Sequence, residues 1–142
     1  MKLAEKLKTM SEKVQTTKES VVDEIVNFFS EKFASGEMME TFERNLSKED
    51  IYKRKKDVFL GFWTYIPGCS ETYFELLGKK WIPEDNHGYE HKGINLKNIY
   101  KIVFAKIFEI TKANFEQEGF EINVRRNENS KRYETYIIEV SW

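Results

Sequence analysis

Residues 95–124 read NLKNIYKIVFAKIFEITKANFEQEGFEINV, and this stretch decides the fold. Wound at 100° per residue, Leu96, Ile99, Tyr100, Val103, Phe104, Ile107, Phe108, Ile110 and Phe115 share one half of a cylinder. Lys97, Asn98, Lys101, Ala105, Lys106, Glu109, Lys112 and Glu116 occupy the other half. So wide an apolar stripe is what a surface helix lays across a sheet. A helix over Asn95–Glu118 follows, with Val103 and Ile107 at the centre of its buried face. Gly119 stops it, because glycine takes up the left-handed conformation that closes a helix. The period then changes from 3.6 to 2 through Phe120, Ile122 and Val124, which marks a strand.

Upstream, Lys2 to about Ser35 reads as helix. Val21, Val22, Ile25, Val26, Phe28, Phe29 and Phe33 cover a broad arc and belong against a core. Leu3, Leu7, Met10 and Val14 continue the stripe as a narrow seam with 4-3-4 spacing. A helix lying on its own domain is the simpler account of that seam. Pairing with a second copy is the alternative, with residues 1–20 as a helical extension used in self-association. Thr16 and Thr17 are poor helix formers and predict a break between the two halves. Gly36 ends the segment, and Met38, Met39, Phe42 and Leu46 predict a short second helix. Ser47-Lys-Glu-Asp50 then has the form of an N-cap with an acidic first turn.

In the following half, Val58, Leu60, Phe62, Thr64 and Ile66 alternate with Phe59, Gly61, Trp63 and Tyr65. A strand apolar on both faces is central or borders a pocket. Pro67-Gly68 turns the chain, and Thr72–Leu77 returns as its partner. Gly78–Gly93 reads as a long loop. After the central helix, Phe120–Arg125 and Arg132–Trp142 form a second hairpin, with Tyr136, Ile138, Val140 and Trp142 towards the core. The expectation is an α+β domain: N-terminal helices, then a four-stranded antiparallel sheet built from two β-hairpins, with the central amphipathic helix packed on it. All 142 residues form one domain, a size that supports a core without staples.

Composition narrows the chemistry. The 23 basic and 24 acidic residues nearly cancel, which argues against a surface built wholly for nucleic acid. Cys69 is the one cysteine, so no intrachain disulfide or thiolate metal cluster is expected. Met1–Met10 lacks the apolar run of a signal peptide, and no stretch approaches the length needed to span a bilayer, so a cytoplasmic location without membrane association is expected. Lysine exceeds arginine and alanine is scarce beside Ile, Asn, Glu and Phe. That is the signature of AT-rich coding, as in a low-GC bacterium or its phage.

No catalytic or cofactor motif of any specificity is present. His87 and His91, with Asp85 and Glu90, lie in the long loop. The i, i+4 histidine pair binds metal when a helix puts both on one face, and Gly88 between them argues against a helix. No metal or cofactor is therefore expected. Asn114, on the apolar arc of the central helix, is expected to bond to backbone, or to line a cavity if one exists. The richest mixture of rings and cations is Trp63, Tyr65, Trp81, Arg125, Arg126, Lys131, Arg132 and Tyr133 at the hairpins, a combination suited to a partner surface or an anionic ligand. Three functions stay open: a non-enzymatic interaction or inhibitor protein that binds a protein partner, a binder of a nucleotide or short nucleic acid, and a small hydrolase using the His87/His91 loop. The first is preferred, because surface complementarity leaves no motif.

Overall fold

The computed structural model describes residues 2–63, 72–82, 90–126 and 134–142. Helix α1 runs unbroken over Leu3–Ala34, followed by α2 (Glu37–Arg44) and α3 (Lys48–Lys53). The strands are β1 (Lys55–Trp63), β2 (Tyr73–Leu76), β3 (Lys79–Trp81), β4 (Glu90–His91) and β5 (Ile94–Asn95). One 3-10 turn, Leu96–Asn98, leads into α4 (Tyr100–Gln117), and β6 (Glu121–Arg126) and β7 (Glu134–Ser141) complete the chain. The architecture is α+β, as the patterns predict. No helix among the described residues is long and apolar enough to cross a membrane.

Two local expectations are corrected. The sheet has five strands rather than four, antiparallel in the order β3-β2-β1-β7-β6. The stretch Gly78–Gly93, read as one long loop, contains β3 and β4, and β5 follows directly at Ile94–Asn95, so that α4 starts at Tyr100 rather than at Asn95. Both tight turns there have positive φ at two successive residues, Leu77 and Gly78 in one and Lys92 and Gly93 in the other. That is the twist a two-residue hairpin requires. Nor does the chain break at Thr16 and Thr17, whose hydroxyls donate to the carbonyls of Glu12 and Lys13, both at 3.0 Å. Satisfied inside the helix groove, they bring no competing backbone arrangement.

Helix α4 supplies the centre. Its Val103, Ile107 and Phe115 are fully buried, and Phe104 packs edge-on against Phe62, Phe74 and Tyr136 from three strands. Phe29 of α1, Met38 of α2 and Ile138 of β7 complete the same core. At its end the Phe120 amide donates to the Phe115 carbonyl and the Gly119 amide to that of Glu116, both at 3.0 Å, with Gly119 at φ 93°. The Phe115 and Phe120 rings meet across this cap at 5.6 Å, so helix stop and strand start are one hydrophobic unit.

The short α3 shows how a surface turn is held. Ser47 accepts from the Asp50 amide at 3.0 Å, and Asp50 accepts from the Ser47 amide at 2.9 Å. That backbone bond, then the Lys56 ammonium, holds the Asp50 carboxyl below the usual aspartate range. A lowered carboxylate pKa stabilises the fold above the ordinary value, and the contribution fades as pH falls through the lowered one. Ser47→Ala should cost about 1 kcal/mol in denaturant melts at neutral pH. Most of that difference should persist in acid, because the bond lost is the one from the Asp50 amide to the Ser47 hydroxyl, while the Ser47 amide that reaches the carboxylate survives in alanine.

Candidate interaction surfaces

Among the described residues, the first half of α1 departs from the closed core. Burial on this helix begins at Val21 and continues through Val22, Ile25, Phe29 and Phe33. Every residue from Lys2 to Thr16 is exposed. At 1.5 Å per residue that is about 21 Å of helix without a tertiary partner among the described residues. The narrow seam of the sequence lies on this overhang, with Leu3, Leu7, Met10 and Val14 at 70%, 50%, 53% and 59% exposure. It does not lie on its own domain. An isolated helix of this length is marginal in water, and helices gain most of their stability from packing an apolar face. A row of four large apolar side chains at helical spacing marks a contact surface.

A second surface is the face of the sheet opposite the helices. Cross-strand register places Asp57, Phe59, Gly61 and Trp63 of β1 there, beside Glu139, Ile137 and Thr135 of β7 and Glu75 and Tyr73 of β2. Phe59, Trp63 and Tyr73 form a row of rings, with centroids 5.9 and 6.1 Å apart. Gly61 is the floor of that row, since a Cβ there would come within 2.7 Å of the Phe59 ring. Lys80 of β3 lies over the Tyr73 ring at 4.8 Å. Two further cations on this face stand against carboxylates: Arg125 with Asp57 and Lys55 with Glu139, both at 2.9 Å.

This arrangement divides the residues picked out by composition. Trp63 and Arg125 share the outer face. Trp81 and Arg126 register with Phe74 and Tyr136, and so lie on the helix side at opposite edges of the sheet. Tyr65, Lys131, Arg132 and Tyr133 lie outside the described residues, as do His87, Asp85 and Cys69. Among the described residues, therefore, no single patch collects the rings and arginines.

His91 is 3% exposed, and its Nε2 lies 3.1 Å from Glu24 Oε2 on α1, with Lys92 3.4 Å from the same oxygen. The Trp81 ring stands edge-on to the imidazole at 5.6 Å. Glu90, its neighbour in sequence, is exposed on the other side of β4. The partner is thus a carboxylate 67 residues away, which no local pattern signals. The pair fastens the β4-β5 ladder to α1. Among the described residues no group of three or more His, Cys, Asp or Glu is placed to hold a metal ion.

Two of the concavities among the described residues border helix α4. A groove of about 270 Å³ between α4 and the sheet is lined by Leu60, Phe104, Phe108, Val124, Tyr136 and Ile138, with Lys101 and Ala105 also on it. Asn114 does not line it, and its amide donates to the Ile110 carbonyl at 2.8 Å. A cleft of about 330 Å³, where α1 crosses α4, is lined by Gln15, Lys18, Glu19, Val22, Asp23, Ile102 and Lys106. No protein-family model matches the chain, and neither does any curated protein or solved structure.

Proposed function

We propose that this is a non-enzymatic interaction protein, a small cytoplasmic accessory or inhibitor factor of a bacterium or phage, that docks a protein partner through the overhanging half of α1. The observation that carries this reading is the exposure of every residue from Lys2 to Thr16 around a regular apolar seam. The deeper part of the same stripe is sealed into the core from Val21 onwards, so the helix is anchored at one end and offered at the other. Such a device needs no catalytic group. The His91–Glu24 pair is spent on fastening the ladder.

Site-specific photocrosslinking tests it. A photoreactive residue at Leu7, in cells where the protein is natively made, should give one discrete protein adduct. The same residue at Lys112, on the opposite end of α4, should give none. No adduct at Leu7, or the same smear at both positions, would sink the proposal. The overhang should also be dispensable for folding. Removing residues 1–15 takes away no buried side chain among the described residues, so the thermal midpoint should stay within about 2–4 °C of the parent, the shift expected for under 1 kcal/mol.

A further inference from the structure

On the reading that the overhang is a docking helix, we infer that its partner is a helix with acidic flanks, belonging to a different protein. The charges of the overhang are sorted around the seam. At 100° per residue the four seam residues lie within about 60° of one another. Lys6 and Lys13 follow along one border, and Lys18 begins the other, where α1 meets α4 beside Ile102. Glu5, Glu12 and Glu19 all fall on the far side, diametrically opposite the seam. A partner on the seam therefore meets lysines at its edges and no acid.

The width of the seam selects the kind of occupant. A helix that lies in a lipid interface needs a broad apolar face, whereas a strict 4-3 seam matches the knobs of one facing helix. In heptad terms Leu7 and Val14 take position a, Leu3 and Met10 take d, Lys6 and Lys13 take g, and Lys18 takes e. A second copy is then the wrong partner. In a parallel pair Lys13 would face Lys18, and in an antiparallel pair Lys6 would face Lys13. Like charges at these positions set partner choice against self-pairing. Glutamate or aspartate at the flanking positions of another helix satisfies them.

The full-length protein can be tested with two synthetic helical peptides that share a leucine seam, one with Glu at its e and g positions and one with Lys. The Glu-flanked peptide should bind roughly tenfold or more tightly at low salt. That preference should shrink as ionic strength rises, because screening shortens the reach of exposed charges. The Lys6→Glu/Lys13→Glu protein, altered only at exposed positions, should invert it. Equal binding of the two peptides overturns the inference, as does sedimentation of the protein as a stable dimer. Binding to phosphatidylserine-containing vesicles in preference to either peptide overturns it too. In each of those cases a Leu7 crosslink leaves the docking reading standing. If the crosslink is absent and Leu7→Gln/Met10→Gln changes no readout, both fail together.

Discussion

Phe115→Ala is expected to remove about 3–5 kcal/mol of folding free energy, measured as a drop in the urea midpoint with an unchanged slope. Phe115 is fully buried at the last turn of α4, and its ring is a junction rather than a simple filler. It meets Phe42 of α2 at 4.9 Å, Phe120 at the entry to β6 at 5.6 Å and Phe33 of α1 at 6.5 Å, each edge to face. Truncation loses the transfer free energy of the ring, three aromatic contacts and the hydrophobic half of the α4 cap. Since a domain of this size has about 5–15 kcal/mol in all, the variant should sit near the edge of folding at room temperature. Phe115→Leu retains much of the volume and should recover more than half of the loss. A loss under 1 kcal/mol for Phe115→Ala would show that the four elements are not joined through this ring.

The same residues show why this part of the fold is legible in the sequence. Phe115, Gly119 and Phe120 lie within six positions, so stripe, stop and strand start are all local signals. Strands β6 and β7 are legible for a similar reason: Ile122, Val124, Ile138 and Val140 alternate over enough residues to fix a face. Strand β3 is not. Three residues, Lys79–Trp81, are too few to show a period, and its turn uses Leu77 at φ 51°, where turn rules look for Asn or Gly. Its pairing to β2 is a tertiary fact. Missing that turn also hides that Trp63 and Trp81 face opposite ways, because direction on a strand depends on register.

Of the candidate surface, the seam Leu3, Leu7, Met10 and Val14 is legible from spacing, but not that the domain leaves it uncovered. Spacing tells that a stripe exists; what covers it depends on how far the body of the domain reaches along α1. The partition of Glu5, Glu12 and Glu19 from the seam is equally present in the sequence, and acquires meaning only once the helix is known to stand free. The Glu24–His91 pair lies at the other extreme, a contact between two elements 67 residues apart. Local patterns place His91 beside Glu90, whereas strand alternation turns the two apart.

Ile107→Ala is expected to cost about 2–5 kcal/mol, and Ile102→Ala on the same helix should cost less than about 1 kcal/mol. The comparison isolates burial. Both residues are isoleucines inside α4, so the change in intrinsic helix propensity, which favours alanine by a few tenths of a kcal/mol, is the same at each. Ile107 is 0% exposed, while Ile102 is 44% exposed in the cleft with α1. Truncation at Ile107 leaves a space inside the buried core, which close packing fills only in part. Truncation at Ile102 opens onto water and leaves no cavity. The Thr111 hydroxyl donates to the Ile107 carbonyl at 2.7 Å, a bond to backbone that survives the substitution, so the loss should come from packing alone. Equal losses at the two positions would mean that α4 does not present this face to the core, and the orientation of the helix on the sheet would have to be redrawn.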